Sequence, residues 1–387
     1  MGHNFDRNFD RVVDRRASDS VKWPDEGDVL PLSIGDMDFA APPAVIDALE
    51  RRIGHGIFGY PAALPDALIH AVVERMSNKY GWRVEPDWIV RIPGVVPAIY
   101  GCCRAFAELG ESIMTPSPNY HHLLDAPVMN GRKLAVAPAE LVDGTWRIDL
   151  QAARRNVIPR TRLFLLCNPY NPLGRVLTRT ELEGIAGLCL EQKMILVSDE
   201  IHSELIIDPA VSHTVAAGLN DEIAEQTITL ISPNKTFNLA GLPGSALAIV
   251  ANVALRERLE EYFRGISPHT GVLAYAATIA AYRDCDDWLE DLLSYLRGNH
   301  EYLYGEIGRI EGISMTPVEA TYFAWLDVSE LQAKLGIDDI YTHFLDNGLA
   351  LSAGTGMGSD HHVRLNFGVP RSSLEEGVRR LRAAAMP

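Results

Sequence analysis

Lys235 is the residue whose chemistry stands out first. The chain has six lysines against 29 arginines, and Lys235 follows an apolar run, Thr227–Ser232, inside the low-charge segment SPNKTFNLAGLPG. A lysine drawn partly out of water has a depressed pKa, and its neutral amine can condense with a carbonyl. Asp199 stands 36 residues earlier, at the end of a second apolar run, MILVSDE. A carboxylate in that position can pair with a pyridinium nitrogen and keep it protonated. A Schiff-base lysine with an aspartate partner for a pyridine ring is what pyridoxal phosphate asks of a protein, since the protonated ring is its electron sink. Arg364, within VRLNF, is the third such residue. A guanidinium inside an apolar strand pattern is unfavourable to bury without an anionic partner, and it binds a carboxylate through two parallel hydrogen bonds.

These residues need elements to bring them together. Leu163–Cys167 has a buried-strand pattern, and the loop NPYNPLG, Asn168–Gly174, follows it. Thr178-Arg179-Thr180-Glu181 has the capping-box spacing and predicts a helix through about Gln192. Met194–Ser198 and Thr227–Ser232 are the next two strands. Alternating short strands and helices argue for a mostly parallel sheet covered by helices. In such sheets ligands sit beyond the carboxyl ends of the strands, so Asn171, Asp199 and Lys235 are expected at one crevice. Upstream, Ile92–Cys102 reads as a strand end, a glycine turn and a helix start. Gly94, Val95 and Val96 lie at that helix N-terminus, where free N–H groups attract an anion and glycine allows close backbone approach. Downstream, Asp287–Ile310 reads as one long helix. Thr321–Asp327 and His362–Phe367 read as strands of a separate, smaller sheet, with the N-terminal segment packed against that end of the chain. Two domains are expected, a large one over 42–280 and a discontinuous small one from 1–41 and 281–387.

Composition excludes several classes. The chain has 387 residues, 47% hydrophobic and 22% charged, with a formal net charge of −16. That suits a globular protein and argues against disorder, and an acidic chain is a poor partner for nucleic acid. The start, Met1–Arg16, is charged and lacks the apolar stretch of a signal peptide, and no run approaches the roughly 20 residues of a membrane span. A cytoplasmic protein is expected. The five cysteines, Cys102, Cys103, Cys167, Cys189 and Cys285, form no CxxC and read as reduced thiols. The pairs His121-His122 and His361-His362 are poorly placed for one ion, so no metal is expected. Gly354–Gly358 lacks the GK[ST] of a phosphate-binding loop and reads as a mobile loop near a substrate entrance.

Taken in order, the motifs resemble a known family. They are GDMDFAAPPAVIDAL, HGIFGYP, the Pro93–Val96 turn, CNPYNPLGRVLTRTEL, SDEIHSELI, SPNKTFNLAGL, ATYFAWLD and VRLNFGVPRSSLEEGVRRL. The chain resembles fold-type I pyridoxal-phosphate enzymes of the class I/II aminotransferase superfamily. Within them it is similar to the MalY/PatB group of cystathionine β-lyases and cysteine-S-conjugate β-lyases. The resemblance implies an α/β fold, with a mostly parallel seven-stranded sheet in the large domain and a smaller α/β C-terminal domain. It implies that Lys235 holds the cofactor and moves the Cα proton, that Asp199 pairs with the ring nitrogen, and that Asn171 donates to the ring 3-oxygen. It places His202 near that same oxygen or the ring edge and Tyr120 stacked on the ring, and it counts Tyr120 with Lys235 and Asp199 as catalytic. Gly94, Val95, Val96 and Ser232 would hold the phosphate, with Tyr60 reaching the phosphate of a neighbouring subunit, which implies a homodimer. Arg364 would clamp the substrate α-carboxylate, with Asn171, Gly35 and Tyr322 also bordering the substrate.

The implied reaction is elimination of a thiolate from a cysteine thioether, leaving pyruvate and ammonia. Transamination and decarboxylation, with or without oxygen, are alternative exits, because the bond that breaks depends on placement finer than a sequence reveals. A regulatory role through cofactor and protein binding is the alternative of another class. Departures from the group's usual pattern at Leu32–Gly35, at Pro116–His122 and at Asn234 fit a bulkier or more polar S-conjugate than cystathionine. Relatives in lincosamide-type antibiotic pathways act on substrates of that kind.

Overall fold

The computed structural model describes residues 8–16, 18–23, 27–61 and 64–386. The leader reading of the first seven residues lies outside them. Eight strands build the large sheet: β1 Ile89–Arg91, β2 Ser112–Ser117, β3 Lys133–Val142, β4 Thr145–Ile148, β5 Thr161–Cys167, β6 Ile195–Asp199, β7 Thr227–Ile231 and β8 Leu247–Ile249. Their order is β1-β8-β7-β6-β5-β2-β3-β4. The five strands from β3 through β2, β5 and β6 to β7 run parallel. The flanking pairs β1–β8, β8–β7 and β3–β4 are antiparallel.

The expected count of seven strands is therefore corrected to eight. Strand β4 joins the edge through a two-residue turn, Asp143-Gly144, with φ of 49° and 75°. Two successive positive φ values match the twist of a hairpin, and Asp-Gly is a favoured pair for it.

Side-chain alternation along the central strands feeds two cores. Leu163, Leu165 and Val197 pack on one face with Ala98, Ile99 and Cys102 of the helix Val95–Phe106. Phe164, Leu166 and Leu196 pack on the other with Leu182, Ile185 and Leu188 of the helix Arg179–Gln192. Burial on both faces is why these strands read as continuous apolar runs. The predicted capping box is present: Thr178 Oγ1 accepts from Glu181 N at 3.2 Å, and Glu181 Oε2 accepts from Thr178 N at 2.8 Å.

A second sheet of four antiparallel strands has the order Ser314–Met315, Phe323–Asp327, His362–Asn366, Ser352–Ala353. The helices Asp286–Ile307 and Arg371–Ala384 add Leu292, Leu296, Leu374 and Leu381 to the core beside it. Leu30–Pro31 pairs in parallel with Leu349–Ala350. Residues 33–39 continue from that pairing and pass across the carboxyl ends of the large sheet. All five cysteines are free and buried. Among the described residues no helix is long and apolar enough to cross a membrane.

Candidate active site

Most of the residues singled out in the sequence meet at one cavity of about 350 Å³. Gly35, Val95, Val96, Tyr120, Asn171, Asp199, His202, Lys235 and Arg364 all line it. Asp199 is the last residue of β6 and is buried at 3% exposure. Strand alternation sends its neighbour Glu200 the other way, to a buried contact with His213 at 2.9 Å. Burial pushes the Asp199 carboxyl up to about 7, opposed by the Ile201 N–H that its Oδ1 accepts at 3.1 Å and by Lys235. A cation on the cavity side is what returns such a carboxyl to its ionised form.

Lys235 follows β7 and reaches back across the cavity. Its Nζ donates to Gly35 O at 2.5 Å. The enclosing protein lowers the amine to about 8; the positive Arg364 adds to this, while Asp36 and Asp199 oppose it. A Cβ at residue 35 would stand 3.1 Å from that Nζ and 3.3 Å from Phe323 Cζ, so a larger residue there would press the lysine aside by a few tenths of an ångström.

Arg364 projects from the small sheet at 6% exposure. Its Nη1 donates to Asn171 Oδ1 at 3.0 Å, and its Nη2 to Ser33 O and Ser352 Oγ, both at 3.2 Å. Phe323 lies beneath the guanidinium, 4.1 Å from its carbon to the ring centroid. Among the described residues no carboxylate pairs with Arg364, and its buried Nε has no partner. Burial lowers its pKa to about 10. A desolvated guanidinium whose hydrogen bonds all go to neutral oxygens is favoured by an anion beside it.

His202 is buried at 2% exposure, edge-on to Phe323 with centroids 5.8 Å apart, and its Nδ1 has no partner. Burial first, and then the positive Lys235 and Arg364, drive its pKa well below the ordinary value, so the ring is neutral. Tyr120 caps the helix His121–Met129, and its backbone N–H is tied to Asn171 O at 3.1 Å. Its phenol is raised to about 12 by burial.

Four predicted residues do not line this cavity. Gly94 is the residue before the helix whose first residues, Val95 and Val96, do. Ser232 is buried, and its Oγ accepts from Asn234 N at 3.3 Å. Tyr60 is 92% exposed, with its ring against His269. Tyr322 is fully buried behind the lining, where its hydroxyl donates to Gly35 O at 2.9 Å, so the expectation that it forms a wall is corrected. Phe323 is the wall. The strand alternation that turns one of the two residues toward the cavity turns the other away, and that signal was present in TYF. His121, Ser352 and Met357 also line the cavity and were missed as site residues. The sequence signal for His121 is its place beside Tyr120. The Gly354–Gly358 loop contributes Gly356 and Met357, and Asn119 N donates to Met357 O at 2.9 Å.

Comparison with known proteins decides the family. The aminotransferase class I and II family matches residues 27–381. The chain belongs to that family. It is 36% identical to the cystathionine beta-lyase PatB of Bacillus subtilis, over 97% of this chain and 99% of that one. It is 32% identical to the protein MalY of Escherichia coli, over 96% of each. Among solved structures, that of OvoB superposes with a TM-score of 0.94 at 40% identity, covering 98% of this chain and 99% of that chain. Cystalysin from Treponema denticola, whose structure contains pyridoxal 5′-phosphate, gives 0.91 at 29% identity, covering 97% and 98%. The buried residues here fit that cofactor. Asp199, Lys235 and the partnerless His202 Nδ1 border one enclosed space, with a helix N-terminus beside it.

Proposed function

We propose that the protein is a pyridoxal-phosphate-dependent C–S β-lyase acting on cysteine thioethers, releasing a thiol, pyruvate and ammonia. The observation that carries this reading is the buried Arg364, with no carboxylate partner among the described residues, opening on the same cavity as the half-buried Lys235 and the buried Asp199. It is what an amino-acid substrate and a pyridine cofactor need together. The named lyases among the relatives favour elimination over the family's other outcomes.

Pyridoxal phosphate, when bound, supplies the electron sink for charge developing at the substrate Cα. Lys235 would be its point of attachment, and Asp199 would keep the proton on the ring nitrogen. The N–H groups at the start of Val95–Phe106 would hold the phosphate, with the Ser232 hydroxyl, which lies outside the cavity lining, a further candidate donor. Arg364 would receive the α-carboxylate, with Asn171 and Ser352 holding the guanidinium. That fixes the substrate Cα within reach of the Lys235 amine. The amine is lowered to about 8, so much of it is neutral near pH 8 and able to accept the Cα proton. The electron pair of the broken C–H bond then forms the Cα–Cβ double bond as the Cβ–S pair leaves on sulfur. Water later takes the three-carbon fragment to pyruvate and ammonia.

The apolar part of the lining, Ile34, Phe323, Ala353 and Met357, favours a thioether with an extended S-substituent. Tyr60 is the candidate for a contact that a second copy brings to the site. An absorbance spectrum tests the cofactor assignment. A band near the wavelength of lysine-bound pyridoxal phosphate should appear in the purified protein or on adding cofactor, and be absent in Lys235→Ala. No band under either condition sinks the enzyme reading.

A further inference from the structure

Residues 33–39 run between the two groups that the proposed function relies on, and both sides grip them. On the lysine side, Lys235 Nζ donates to Gly35 O at 2.5 Å. Asn238, three residues on and held at a φ of 54°, accepts from Met37 N at 3.0 Å. Its Nδ2 donates to Met37 O at 2.9 Å and Phe39 O at 2.7 Å. On the arginine side, Arg364 Nη2 donates to Ser33 O at 3.2 Å. Asn366, two residues further along the same strand and fully buried, donates Nδ2 to Ile34 O at 2.6 Å and to Asp36 O at 2.8 Å. Its Oδ1 accepts from Gly368 N at 2.8 Å. The outer side is closed by charge: Arg15 reaches Asp36 and Asp38, both at 2.6 Å, and Lys22 reaches Asp38 at 2.9 Å.

We infer that Asn366 is a positioning residue that clamps the carbonyls on either side of Gly35 and thereby fixes where the Lys235 amine stands relative to the Arg364 guanidinium. Asn366 spends both N–H groups on Ile34 O and Asp36 O, so the peptide between them has little freedom. The Gly35 carbonyl accepts from Lys235 Nζ and from the Tyr322 hydroxyl, which uses its two lone pairs. Asn238 clamps the same segment from the lysine's own loop. The inference rests on the proposed function only in naming Lys235 and Arg364 as the working groups.

A carbonyl that accepts from an amine favours the ammonium form. The charged groups that act on the amine, Arg364, Asp36 and Asp199, are themselves unsubstituted in every variant, and Arg15 still holds the Asp36 carboxylate. Asn366→Ala frees the segment, weakens the Gly35 contact and lowers the amine's titration midpoint. Tyr322→Phe removes the competing donor from Gly35 O and raises it. A merely structural role for Asn366 and Tyr322 has no reason to move one quantity in opposite directions.

The test is carbamylation of the full-length protein, freed of cofactor, by cyanate across a pH series. Modification of the peptide containing Lys235 is followed by mass spectrometry, and a melting curve accompanies each variant. The expected result is a midpoint lowered by about half a pH unit or more in Asn366→Ala and raised by a similar amount in Tyr322→Phe. If Asn366→Ala does not fold, Asn238→Gly replaces it, since glycine keeps the positive φ while losing the clamp, and its midpoint should also fall. Folded variants with the wild-type midpoint, or with shifts of one sign throughout, overturn the inference. The readout needs no substrate, so it stands apart from whether the enzyme releases thiol and pyruvate.

Discussion

At the scale of single residues, position on a strand decides which carboxylate and which aromatic serve the cavity. Asp199 and Phe323 face it, while their neighbours Glu200 and Tyr322 support it from behind. Asp199, Lys235 and Arg364 were legible in the sequence because each is a charged residue at the edge of, or inside, an apolar strand pattern. His121 and Ser352 were not, because a polar residue beside a cavity carries no periodicity of its own. Arg364 combines two effects that substitution separates. Its fork fits a carboxylate, and its charge lowers the Lys235 amine. Arg364→Lys keeps the charge and loses the bidentate geometry. The expected result is a KM for the amino acid raised roughly tenfold to a hundredfold, from the loss of about 1.5–3 kcal/mol of charged hydrogen bonding. Arg364→Ala loses both. Without the neighbouring positive charge the ammonium form of Lys235 gains, its pKa rises above about 8, and the limb of activity that climbs with pH should move to higher pH. Steady-state kinetics of the two variants across pH 6–10, an interval spanning the Lys235 midpoint, checks both expectations. An unmoved limb in Arg364→Ala contradicts the electrostatic link.

At the scale of elements, the unit from β5 through the helix Arg179–Gln192 to β6 was legible almost to the residue. Its apolar runs are uninterrupted, its loop is rich in Asn and Pro, and its capping box is complete. The two-residue strands Leu30–Pro31, Ser314–Met315 and Ser352–Ala353 were not, since two residues show no period and depend on partners distant in the chain. The hairpin of β3 and β4 had a signal in Asp143-Gly144 that the strand count did not use. The capping box gives an expectation at this scale. Thr178→Ala removes the Oγ1 that accepts from Glu181 N and should lower stability by about 1 kcal/mol in urea denaturation. Thr178 does not line the cavity, so cofactor binding should be retained. Loss of the cofactor band in a folded Thr178→Ala protein contradicts that separation.

At the scale of the whole molecule, the site lies between the carboxyl ends of the large sheet and the small sheet, with residues 33–39 joining the two. The sequence showed two sheets and a returning N-terminal segment. How the segment reaches both Lys235 and Arg364 depends on carbonyl groups, which side-chain patterns do not encode. Three large apolar side chains close together in the sequence are exposed: Ile57 is 65% exposed, Phe58 58% and Tyr60 92%. Exposed apolar side chains of this kind fit an interface, and the proposed homodimer with shared active sites would cover them. Sedimentation should give the mass of two chains, and Phe58→Glu should shift the protein toward one chain with a parallel loss of activity. A fully active single chain contradicts the shared site. The central claim, elimination at a C–S bond, is tested most directly by incubating the cofactor-loaded protein with an S-alkyl-cysteine and assaying thiol, pyruvate and carbon dioxide together. Thiol and pyruvate in equal amounts, without carbon dioxide and absent in Lys235→Ala, are the expected result. Carbon dioxide or an aldehyde without thiol contradicts it and makes the protein a decarboxylating enzyme instead.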